Sequence, residues 1–109
     1  MLETIFELTG KDPKSLQQRA LKLSEEAGEV AQAVLSATGA PGSSYKAMTL
    51  EDVREEAVDA AIVALAILAQ ASESEEAYLV ELDRLVAEKC NKWKTTLATD
   101  AAELDPMEP

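Results

Sequence analysis

From Ala57 to Ala71 the chain reads AVDAAIVALAILAQA, and Asp59 is its one charge. So apolar a stretch must leave water. It is short and interrupted for a membrane span, which needs about 20 apolar residues. It has to be covered by other parts of a fold. Aromatic residues are few and β-branched runs are short, so a helix is expected rather than a strand. The helix that carries it, capped at Thr49 and running to about Gln70, is amphipathic in its first half and apolar all round in its second. Such a helix must be buried on every side.

The rest of the chain supplies helices to do this. Gly10, Pro13, Gly39, Pro41, Gly42, Pro106 and Pro109 stand at the edges of expected elements, with Gly28 as the exception. Met1 to Thr9 reads as a short helix ending at Gly10. Asp12-Pro13 reads as an N-cap and first helical residue. A long helix then runs to about Ser36, with an apolar stripe of Leu16, Ala20, Leu23, Ala27, Val30 and Val34. The stretch TGAPGSSYKAM is a loop. Thr49 caps the next helix with Asp52 in a capping box, and that helix reaches about Gln70. A third long helix is expected over about 75–97, with Leu79, Leu82, Val86 and Trp93 on its apolar face. The expected fold class is all-α: an antiparallel helical bundle of three long helices and a short N-terminal one. Residues 1–97 form the helical domain and 98–109 an acidic, mobile tail. Three helices do not surround one of their own members. Completion by oligomerisation follows as an expectation, a homodimer or a homotetramer with the apolar helix at the interface.

Composition narrows the chemistry. The 109 residues carry 21 acidic and 10 basic side chains, a net charge of −11. Nucleic acid polymers and anionic membranes are poor partners for such a chain. The single cysteine, Cys90, allows no internal disulfide and fits a reducing, cytoplasmic setting; it reads as a small packing residue. MLETIFELTG lacks the basic residues and long apolar run of a signal peptide. There is no histidine. Ser-His and Cys-His catalysis and His-rich zinc sites are excluded. Carboxylates remain, and they select hard ions such as Mg²⁺, with Mn²⁺ as the alternative.

An unpaired carboxylate among apolar residues costs several kcal/mol, roughly, even after relaxation. Asp59 therefore needs a cation, donors or a proton. Glu56 precedes it by one helical turn. Glu26 and Glu29 repeat that spacing on the first long helix, with Lys22 one turn earlier as a substrate-binding candidate. Antiparallel packing can bring both flanks together, and four converging acids suit a Mg²⁺ site. The plainer reading of such pairs is a solvated helix face, as for Glu51, Asp52 and Glu55. Gly28 inside a helix costs about 1 kcal/mol against alanine. Ligand access or a tightly packed neighbouring helix would each account for it.

EEAGE followed by EEAVD resembles the MazG-like all-α nucleoside triphosphate pyrophosphohydrolases, whose pattern is Glu-x-x-Glu, a variable connection, then Glu-x-x-Asp. Here it reads Glu26-Ala27-Gly28-Glu29 and Glu56-Ala57-Val58-Asp59. The resemblance covers roughly Leu16 to Ile67 well and the third long helix more loosely. It implies an oligomeric helical bundle, Mg²⁺ dependence, and cleavage of a nucleotide between its α- and β-phosphates to a monophosphate and pyrophosphate. It also implies Glu26, Glu29, Glu56 and Asp59 as metal ligands. Glu25 matches an acid that binds a second ion or orients the attacking water. EKCNKWK resembles a later family segment with an Asn and basic neighbours, which makes Lys89, Asn91 and Lys92 substrate-binding candidates. A helix C-terminus neutralising its own dipole accounts equally well for those lysines. Trp93 stacks on a base or, as the plainer reading, joins the core. Ala60-Ala61-Ile62 are smaller than the residues the family commonly has there, which leaves base selectivity open.

Two rivals stand beside this expectation. One is a phosphoribosyl-ATP pyrophosphatase, which usually has a Ser-Tyr-Thr stretch that LTGKDPKSLQQRA lacks. The other is a non-catalytic acidic helical module for oligomerisation.

Overall fold

The computed structural model describes residues 1–104, apart from the side chains of Ser44 and Leu104. Four helices follow one another: α1 (Leu2–Lys11), α2 (Leu16–Ala37), α3 (Leu50–Gln70) and α4 (Glu75–Leu104). A 3₁₀ turn, Ser44–Lys46, lies between α2 and α3, and there is no strand among the described residues. No helix among them is long and apolar enough to cross a membrane.

Local chemistry sets the boundaries. α1 continues through Gly10 to Lys11, and Asp12 ends it in an extended conformation (φ −89°, ψ 120°). That is the conformation a residue before proline prefers. The cap of α2 is therefore Ser15, not the expected Asp12. Ser15 Oγ accepts from Gln18 N–H at 3.1 Å, and Gln18 Oε1 accepts from Ser15 N–H at 2.9 Å. This is a complete capping box. At the other end, Ala40 N–H donates to Leu35 O at 2.9 Å and Gly39 N–H to Ser36 O at 3.2 Å. With Gly39 at φ 73°, this is a Schellman motif. The expected Thr49–Asp52 box starts α3, and α3 stops at Gln70 as the sequence implies. The Ser74 hydroxyl accepts from Ala77 N–H at 3.1 Å and opens α4. α4 passes the expected end at Leu97, because no glycine or proline interrupts 98–104. The expected mobile tail is thus helical as far as Leu104, and 105–109 lie outside the described residues.

α2 and α3 form the main pair. Arg19 Nε donates to Gln70 Oε1 at 2.6 Å, and Met48 N–H donates to Ser36 Oγ at 3.1 Å. The start of one helix meets the end of the other, so the pair is antiparallel. The expected stripe of α2 is rotated. The buried line is Arg19, Glu26 and Ala33, with Leu23 and Val30 half-buried between them. Leu16, Ala20, Ala27 and Val34 stay exposed. α2 has one covering helix, so only one edge of its apolar stripe is closed.

α1 lies on the second half of α3, where Ala66 and Ala69 are buried. Tyr78, the largest fully buried side chain, joins α4 to α1. Its hydroxyl donates to Leu2 O at 3.1 Å, and its ring centre stands 5.5 Å from that of Phe6. Beyond this point α4 leaves the core. Every side chain from Val86 to Glu103 is exposed. Trp93 is 66% exposed, so the core role expected of it is not met within one chain. The packing role expected of Cys90 fails in the same way. The radius of gyration is 18.3 Å, against about 13 Å for a compact chain of this length. α3 meets α2, α1 and α4, yet Val58 and Ile62 on it stay about half exposed.

Candidate metal centre

The buried line of α2 carries an acid on its inner side. Glu26 is 6% exposed. Glu29 follows one turn later, and Glu56 of α3 comes from across the helix pair. One carboxylate oxygen of each lies within 4.8 Å of the other two. Arg19 and Gln70 fix the register that brings them together, since they lock the far ends of α2 and α3. Gln70 Nε2 also donates to Lys14 O at 3.1 Å, which ties α3 to the entry of α2.

The electrostatics of this cluster are unbalanced. Glu26 Oε1 pairs with Lys22 Nζ at 3.1 Å, but its Oε2 is buried without a partner. Glu56 Oε2 is buried without a partner as well. A buried polar atom left unpaired costs about 1–3 kcal/mol, and more when charged. The Glu29 carboxyl is held above the usual glutamate range. The first cause is the Glu56 carboxylate, to which Glu29 could donate a hydrogen bond only when protonated; repulsion from the Glu26 charge follows, then loss of water. Two things relieve such a cluster: a shared proton or a cation. The donors are all hard oxygens, two of them unpartnered, which fits Mg²⁺ or Mn²⁺ and not a softer metal.

The other expected residues stand elsewhere. Asp59 is exposed, although its neighbours in sequence are apolar. Ile62 and Ala66 of α3 share a small cavity with Ile5 and Leu8 of α1, and Asp59 does not line it. Asp59 is not in the three-acid cluster. It lines a groove with Glu51, Arg54, Glu55 and Glu56. Glu25 is exposed, and its Oε1 lies 3.5 Å from Lys22 Nζ. Lys22 thus bridges two acids, and its ammonium is held above its ordinary range, by the hydrogen bond to Glu26 first and the Glu25 charge second. Lys89, Asn91 and Lys92 are exposed on α4, which packs on α1 and α3 but not on α2. One chain does not bring them to the acids. A Cβ at Gly28 would meet nothing within 4 Å, so tight helix packing within the chain does not explain that glycine.

Arg19 is the positioning residue that sequence reasoning missed. It is 7% exposed, and its Nη2 donates to Asp12 O at 3.2 Å and Thr9 O at 3.4 Å. Its signal was spacing: Arg19, Leu23, Glu26, Val30 and Ala33 repeat at the same alternating four-and-three interval as the apolar stripe and share Leu23 and Val30 with it. Hydropathy passes over that line because two members are charged.

Comparison of the chain with family models, curated proteins and solved structures returns no match in any of the three.

Proposed function

We propose that the chain is a Mg²⁺-dependent nucleotide pyrophosphohydrolase. It cleaves a nucleoside or deoxynucleoside triphosphate, or a modified nucleotide, between the α- and β-phosphates. The products are a monophosphate and pyrophosphate. One observation carries the reading: Glu26, Glu29 and Glu56 converge with two buried carboxylate oxygens that have no partner. The resemblance of EEAGE and EEAVD to MazG-like enzymes supports the reaction class.

In this reading Glu26, Glu29 and Glu56 hold the ion, and Asp59 adds a carboxylate at the open side. Mg²⁺ supplies charge neutralisation for the phosphate oxygens and acidifies water, so no histidine is needed. Glu25 orients the attacking water. Lys22 holds Glu26 in the metal-free chain and turns to phosphate when the ion takes that acid. The chain works as a homodimer or homotetramer. Exposed Trp93 and Leu97 on α4, and Val58 and Ile62 on α3, support association through these faces. A partner's α4 then brings its lysines and asparagine, the counterparts of Lys89, Asn91 and Lys92, to the nucleotide.

The same exposed faces favour a second reading, a non-catalytic oligomerisation module. The two unpartnered carboxylate oxygens speak against it, because a module gains nothing from burying them. A nucleotide panel with Mg²⁺ separates the two. Pyrophosphate and monophosphate are expected. Orthophosphate alone would refute α–β cleavage, and no release together with no Mg²⁺ binding would favour the module.

A further inference from the structure

The loop between α2 and α3 is held in one shape. Gly39 and Gly42 take positive φ, which glycine bears freely. Ala47 also takes positive φ, 52°, where its Cβ is strained. On its far side Met48 N–H is tied to the buried Ser36 hydroxyl. The 3₁₀ turn Ser44–Lys46 therefore lies against α2. Lys46 Nζ donates to Gln32 Oε1 at 2.9 Å and stands 5.9 Å from the centre of the Tyr45 ring. Among the described residues Lys46 makes no ion pair, in a chain where acids outnumber bases 21 to 10.

Gln32 lies three residues beyond Glu29 on α2. Residues so spaced are neighbours on one side of a helix, with Cβ atoms about 5–6 Å apart. Gln32, one helical turn along α2 from Glu29, thus holds an ammonium that has no ion-pair partner among the described residues. Lys22, on the other side of the cluster, is already engaged by Glu25 and Glu26.

We propose that Lys46 binds the pyrophosphate end of the nucleotide, its β- and γ-phosphates, with Gln32 and Tyr45 as positioning residues. This rests on the metal-dependent reading above. The ammonium has three donors. Gln32 takes one and leaves two for phosphate oxygens. The Tyr45 ring face attracts the cation and keeps it over α2.

The probe is inorganic pyrophosphate, titrated calorimetrically into the Mn²⁺-loaded full chain. Mn²⁺ binding alone is followed in parallel by electron paramagnetic resonance. Lys46→Met should weaken pyrophosphate binding about tenfold, the scale of a lost charge-assisted hydrogen bond. Lys46→Arg should stay within about threefold of wild type. Gln32→Leu should weaken it by less than Lys46→Met, and Mn²⁺ affinity should be unchanged in all three. Wild-type pyrophosphate affinity in Lys46→Met overturns this inference alone. So does a wild type that takes Mn²⁺ but no pyrophosphate. Loss of Mn²⁺ affinity in Lys46→Met would make Lys46 a support of the acid cluster and also overturn it. A wild type that takes no Mn²⁺ overturns both readings.

Discussion

Glu29 sits between two other carboxylates, Glu26 on its own helix and Glu56 on α3. Its raised value means that the native side chain keeps its proton where the unfolded chain has released it. That stabilisation is complete below the ordinary value of 4.5 and is lost as pH rises through the folded-state value. Glu81 behaves oppositely, since Arg84 holds it below its ordinary range, so total stability mixes both trends. The difference between wild type and Glu29→Gln isolates the first. In thermal melts without divalent ions, the variant's advantage should grow as pH rises above the ordinary glutamate value of 4.5. A difference independent of pH would contradict the shared proton. Lys22 offers a second test, as the one cation bonded to the cluster among the described residues. Lys22→Met removes a competitor for Glu26. It should lower metal-free stability and tighten Mg²⁺ binding several-fold by calorimetry, the scale of a charge-assisted contact. Unchanged affinity would count against a metal at Glu26. The Glu-x-x-Glu and Glu-x-x-Asp spacings made these acids legible in the sequence. The exposure of Asp59 was not, because Val58 and Ala60, which adjoin it in sequence, point to other faces of the helix.

At the scale of elements, α2 and α3 are locked by side chains at their ends. Arg19, itself buried, joins Gln70, Thr9 and Asp12 in one half-buried clamp. Arg19→Met leaves those acceptors unpaired and should cost about 3 kcal/mol in urea unfolding. A loss below about 1 kcal/mol would show that the clamp does not set the register. The start of α3 was legible because Thr49 and Asp52 each bond the other's backbone. The start of α2 was not. Two candidate caps lie three residues apart, and Ser15 prevails because Gln18 completes its box while Asp12 ends α1. The phase of α2 was also hidden. Its apolar residues cover more of the helix than one partner can close, and the line that is closed carries Arg19 and Glu26.

For the whole molecule, the extended shape and the bare half of α4 bear on assembly. A chain of 11.7 kDa should sediment at two or four times that mass. In the proposed assembly the exposed Trp93 is an interface anchor, so Trp93→Glu, which puts a charge there, should shift the mass toward the monomer. A monomeric wild type would contradict the oligomeric reading and leave Lys89, Asn91 and Lys92 without a route to the acids. The all-helical class was legible from period and breakers, but the span of α4 was not, since an acidic tail without apolar period still extends a helix. Glu26, Glu29 and Glu56 must hold a divalent ion together for the proposed chemistry to have a site. Free Mn²⁺ measured by electron paramagnetic resonance, at neutral pH and without nucleotide, tests this. Wild type should take up the ion, and Glu56→Gln, which keeps shape and removes charge, should bind it at least about tenfold more weakly. Equal uptake by the two proteins, or none by wild type, would contradict the account.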